Sequence, residues 1–129
     1  MPEPQWTSFA AKAVAFVVDD RLNTRCLVLA ENKHGTGRLL EIQRALVDDD
    51  DDLELGQDTH CLVDELQYTH YGGVTRWQLK DDVLELQLSA EAGEVMGAGA
   101  GYRIAVPRAD HRTVIRDALP NLLTRSHHA

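Results

Sequence analysis

Apolar and polar residues alternate most regularly between Tyr68 and Leu88 (YTHYGGVTRWQLKDDVLELQL). Tyr71-Gly72-Gly73 reads as a sharp reversal, because paired glycines supply positive φ at little steric cost. Beyond it Val74, Arg76 and Gln78 alternate with Thr75, Trp77 and Leu79, so Trp77 and Leu79 share a face. Lys80-Asp81-Asp82 closes a hairpin. Leu84, Leu86 and Leu88 then recur at a spacing of two, with Glu85 and Gln87 pointing the other way. This is the pattern of a strand with one buried and one wet face.

The same reading extends along the chain. Residues 1–8 form a loose leader in which Trp6 is apolar enough to dock on the body. Phe9 to Val18 is predicted as one strand, and Arg25 to Glu31 as a second. A glycine-containing loop follows, and Arg38 to Arg44 returns as a third strand. Val47 to Asp58 is a long polar loop, and Thr59 to Leu66 another strand. Ser89 is placed to cap a short helix over Ala90 to Met96, with Glu91 near its positive end. Tyr102, Ile104 and Val106 alternate as the last strand, which Pro107 stops. Val114, Ile115, Ala118, Leu119, Leu122 and Leu123 form one apolar stripe of a C-terminal helix that Asp110 can cap. Pro120 predicts a kink or break near Asp117 to Leu119, since proline inside a helix costs about 3 kcal/mol. The pattern thus predicts an α+β fold. A mainly antiparallel β-sheet carries a short helix, and the C-terminal helix packs on one face to cover Trp77 and the Leu84-Leu86-Leu88 row. Residues 9–125 form a single domain, and 126–129 a disordered tail.

Composition narrows the function more than the fold. The net charge of −8 belongs to one segment. Ala45 to Leu66 holds nine acidic residues and no basic one, while the flanking parts are nearly balanced. An acidic chain with no basic stripe argues against nucleic-acid binding, which needs clustered Lys and Arg. No stretch approaches the roughly twenty apolar residues of a membrane span. Met1-Pro2-Glu3-Pro4 does not open a signal peptide. Cys26 and Cys61 read as reduced thiols within strands, and the expected location is cytoplasmic.

Candidate chemistry is sparse. The histidines (His34, His60, His70, His111, His127 and His128) fall into no metal-ligand spacing. His60 with His70 is the one pair that a turn could bring together, against a plain reading as surface or turn histidines. His60 and Cys61 point to opposite faces of a strand, so they do not form a catalytic pair. Gly97, Gly99 and Gly101 follow a helix and precede a strand, the reverse of a phosphate-binding loop. No serine sits in a Gly-x-Ser-x-Gly elbow. The run Asp48, Asp49, Asp50, Asp51 and Asp52, with Glu54, lacks the spacing of a calcium loop. It reads either as a solvated loop or as an acidic surface that meets a basic partner. No catalytic residue, metal or cofactor is expected.

The Tyr71-Gly72-Gly73-Val74 turn, the charged turn, the Leu84-x-Leu86-x-Leu88 strand and Ser89-Ala90-Glu91-Ala92 resemble the tenth family of immunity proteins. The resemblance extends over Phe9 to Leu123, including Leu40-x-Ile42-Gln43-Arg44 and Asp58 to Glu65. Such proteins are small, bacterial, and encoded beside polymorphic toxins. The resemblance implies a protein that binds a cognate toxin and blocks it by occlusion rather than by catalysis. Asp48 to Asp52 and Glu54 would then face a basic toxin surface. Tyr68 and Tyr71 would serve as aromatic anchors, since tyrosines are enriched at interface hot spots; each could equally pack its ring on the sheet edge. Two rival readings are a small enzyme or ligand-binding domain with a pocket between sheet and helix, and a homodimer formed by edge-strand pairing.

Overall fold

A computed structural model describes residues 5–34, 36–46 and 59–123. The described residues form nine strands and two helices in chain order: β1 (Trp6–Ala10), β2 (Ala13–Asp19), β3 (Thr24–Ala30), β4 (Leu39–Ala45), β5 (Cys61–Asp64), β6 (Thr69–Tyr71), β7 (Val74–Lys80), β8 (Val83–Leu88), α1 (Ala90–Met96), β9 (Gly101–Ala105) and α2 (Ala109–Leu122). The fold is α+β, as the alternation implies. The strands make two sheets rather than one. The first has the order β1-β9-β8-β7 and the second β2-β3-β4-β5-β6. Every pairing is antiparallel except β1 with β9.

Two sharp corners carry the chain between the sheets. The predicted strand Phe9 to Val18 is in fact β1 and β2, split at Ala11–Lys12. Its alternation contains no turn residue, so the split is imposed by pairing. Ala11 N–H bonds to the Ala105 carbonyl at 2.8 Å, and Lys12 N–H to the Ala30 carbonyl at 3.0 Å. One half therefore belongs to the first sheet and the other half to the second. Trp6, Thr7 and Ser8, read from sequence as leader, are strand and pair with Gly101, Tyr102 and Arg103. The second corner is Gly72-Gly73, between β6 and β7. Gly73 has φ 103°, and a Cβ there would run into the Ala92 methyl of α1. Only glycine meets both demands.

The two sheets and two helices enclose one hydrophobic cluster. Strand alternation assigns its inner faces. In the second sheet Phe16, Leu27, Ile42, Leu62 and His70 lie in one cross-strand row, and Val14, Leu29, Leu40 and Asp64 in the next. In the first sheet Tyr102, Leu86 and Trp77 form a row, beside Phe9, Ile104, Leu84 and Leu79.

Helix α2 buries Ile115, Ala118, Leu119 and Leu122. It packs on β2, β3 and β4, not on the strand of Leu84, Leu86 and Leu88. Arg44 lies on the same inner face and is buried. Its Nη1 donates to the Leu122 carbonyl at 3.1 Å, placing a cation at the negative end of the helix. Pro120 does not end the helix at Asp117–Leu119. The helix continues to Leu122, and Leu123 N–H reaches the Leu119 carbonyl at 2.9 Å. Burying Leu119 and Leu122 is worth about 1.5–3 kcal/mol each, which offsets a proline cost of about 3 kcal/mol. Arg108, not Asp110, occupies the cap position, with no side-chain cap bond. Asp110 sits in the first turn and pairs with Arg108 at 2.8 Å. Ser89 caps α1 as expected, accepting from Ala92 N–H at 3.2 Å.

Candidate partner-binding face

Inner residues of the second sheet are fixed by the buried rows, so the alternate residues point outward. On that outer face lie Val17, Cys26, Val28, Glu41, Gln43 and Tyr71. The helices lie on the opposite, inner side. Val17 is 50% exposed and Tyr71 44% exposed. A shallow depression of about 360 Å³ runs between Val17, Asp19, Leu22, Thr24, Cys26, Val28, Glu41 and Gln43. Leu22, in the β2–β3 turn, is 72% exposed. The face therefore mixes apolar side chains with four polar ones, Asp19, Thr24, Glu41 and Gln43.

Three connections meet at one end of this sheet. Thr24 is opposite Ala45. Leu46 N–H bonds to the Asn23 carbonyl at 3.2 Å, and Gly72 N–H to the His60 carbonyl at 2.7 Å. The β2–β3 turn, the two residues that flank 47–58, and the Gly72-Gly73 corner thus share an end. The β2–β3 turn is acidic at its start: Asp19 Oδ1 accepts from Arg21 N–H and Leu22 N–H. The residues Asp48, Asp49, Asp50, Asp51, Asp52 and Glu54 lie outside the described residues. Tyr71 is at this end. Tyr68 is at the other end of β6, in a turn built by Asp64, whose buried Oδ1 accepts from Leu66 N–H at 2.9 Å and Tyr68 N–H at 3.0 Å. Three positions separate the two tyrosines, so alternation also sends them to opposite faces. They do not form one anchor pair.

His60 holds the corner together. It is buried, contrary to its plain reading as a surface or turn histidine. Val74 N–H donates to its Nε2 at 3.2 Å. That nitrogen is therefore unprotonated, and the Nδ1 proton is directed at Thr59 Oγ1, 3.2 Å away. Burial lowers the His60 pKa from 6.5 to about 4, with Arg44 and His70 adding repulsion. His70 turns its Nδ1 to the Gly72 carbonyl at 3.2 Å, and its Nε2 lies 3.6 Å from Glu91. Both rings serve the turn. Among the described residues, no group of three or more His, Cys, Asp or Glu side chains could hold a metal ion.

Cys26 and Cys61 are free and share the outer face, with Gln43 between them in register. Two strand spacings put them roughly 9–10 Å apart, too far for a disulfide. Burial, with Glu41 nearby, pushes the Cys26 thiol up to about 12. Such a thiol is a poor nucleophile.

The first sheet has an outer depression of its own, about 250 Å³, lined by Trp6, Arg76, Trp77, Gln78, Glu85 and Gln87. The Arg103 guanidinium lies 4.2 Å over the Trp6 ring and pairs with Glu85 at 3.0 Å. Between α2 and the second sheet, in contrast, Ile115, Leu119 and Leu122 fill the space against Leu27, Leu29 and Ile42, all fully buried.

Sequence reasoning singled out Tyr71, which is exposed, and did not single out Val17, which is exposed on the same outer face. Ala13 to Val18 is apolar on both faces, so alternation alone cannot say which side is wet. No helix among the described residues is long and apolar enough to cross a membrane. Comparison with curated proteins and with solved structures returns no match. The family model described as Immunity protein 10 matches residues 10–113, from the end of β1 into α2. That span takes in every strand of the second sheet and both corners, and the chain belongs to the Immunity protein 10 family.

Proposed function

We propose that this immunity protein neutralises a cognate toxin by covering its active surface, without chemistry of its own. The observation that carries the reading is the outer face of the second sheet, where exposed Val17, Leu22 and Tyr71 border the end at which residues 47–58 connect β4 to β5. A tyrosine at the centre of a contact can supply much of its affinity, and the aliphatic side chains beside it add buried apolar area. Asp48 to Asp52 and Glu54 supply a concentrated negative charge that speeds encounter with a basic toxin and disfavours other partners. Tyr71 acts with this face. Tyr68 would act at the far end of β6, as a separate contact.

The engaged nitrogens of His60 and the raised Cys26 pKa support binding over catalysis. The filled space between α2 and the second sheet speaks against the rival reading of an interior ligand pocket. The cytoplasm is the proposed site of action.

Co-expression with the toxin encoded beside it provides the test. Growth should be rescued by the wild-type chain, and the purified proteins should form a stable complex. Absence of both rescue and complex would overturn the proposal. A complex with rescue that survives Tyr71→Ala, Val17→Lys and Leu22→Lys together would move the contact to another surface.

A further inference from the structure

The open rims of the two sheets are β1, β7, β2 and β6 among the described residues. Proteins blunt such rims with short strands, charges or bulges, because unpaired backbone groups invite another strand. β6 has three residues and β1 five. β7 carries Arg76 and Lys80, and its register shifts between Val74 and Arg76. β2 has no register shift, and its one charge is at its last residue, Asp19. It is seven residues long, and Ala13 to Val18 contains no charge and no proline. Val17 and Val18 are 50% and 53% exposed. Its strand partner is β3 alone among the described residues.

We propose that β2 pairs antiparallel with β2 of a second copy of this chain, about a two-fold axis at Phe16. A two-fold axis normal to a sheet sets residues of the same face opposite one another. Centred on Phe16, it pairs Ala13 with Asp19, Val14 with Val18, Ala15 with Val17, and Phe16 with itself. At both flanks it sets exposed Lys12 opposite exposed Asp20. The run is therefore apolar at its centre and complementary in charge at its ends. The neighbouring registers lose this match. Centring on Ala15 puts Lys12 against Val18, and centring on Val17 puts Asp20 against Val14. The second sheets of the two copies become one continuous sheet, with the α2 helices on the same side.

Sedimentation equilibrium of the purified full chain, with no other protein present, tests this independently of any toxin. The wild-type chain should show a concentration-dependent dimer. Lys12→Glu and Asp20→Lys each replace two attractive contacts by two repulsive ones. Each should weaken the dimer about tenfold, with unchanged circular dichroism. An equal mixture of the two variants, one isotope-labelled, should form a heterodimer of near wild-type affinity by native mass spectrometry, because both flanks again oppose unlike charges. A monomer at every concentration, single variants that dimerise like wild type, or a mixture with no rescue would each overturn the proposal.

Discussion

His60 is a buried base held neutral by its surroundings. In the folded protein its pKa falls from 6.5 to about 4, while in the unfolded chain it keeps the ordinary value. Between those two values the unfolded state takes up a proton that the native state refuses. Stability is therefore full above pH 6.5, falls as the pH drops toward about 4, and levels off below. The shift is worth on the order of 3 kcal/mol. Urea unfolding at pH 7.5 and pH 4.5 should show this loss in the wild-type chain. His60→Gln keeps an acceptor near the Val74 amide and cannot titrate, so this part of the pH slope should disappear. Gly73 is the companion residue. Gly73→Ala forces a side chain into φ 103° and into Ala92. It should cost at least about 1–3 kcal/mol, read as a lower urea midpoint.

At the scale of elements, α2 depends on a few aliphatic side chains. Leu119→Ala should cost about 2–5 kcal/mol, because Leu119 is fully buried against the second sheet. Ser89→Ala should cost about 0.5–2 kcal/mol through the lost bond to Ala92 N–H. Thermal or chemical unfolding would rank the two. Which elements were readable from sequence follows from how local their causes are. The Leu84-Leu86-Leu88 face and the Ser89 cap depend on residues within a few positions of one another, and both were legible. The break at Ala11–Lys12 was not, because its cause is Ala105 and Ala30, far along the chain. The parallel pairing of β1 with β9 is invisible to a local pattern for the same reason. Pro120 misled because a local penalty was outweighed by distant burial. Of the candidate face, Tyr71 was legible as an aromatic at a turn. Its separation from Tyr68 required the register of β6 against β5.

At the scale of the whole molecule, the acidity is concentrated in one connection, so its effect should be kinetic. Replacing Asp48 to Asp52 by Asn should slow association with a basic toxin about 10-fold or more at low salt. The difference should shrink as ionic strength rises toward 0.5 M, with the dissociation rate little changed. Stopped-flow mixing across a salt series would measure both. An association rate indifferent to salt would remove the steering role.

The parallel pair of β1 and β9 also fixes an order of assembly. Trp6 to Ala10 precede their strand partner among the described residues, Gly101 to Ala105, by 95 positions. Until that partner is made β8 has an open rim where β9 will lie, and the first sheet cannot close. A nascent chain halted before Gly101 would thus be a half-built shell, open on both sides of the gap that β9 fills.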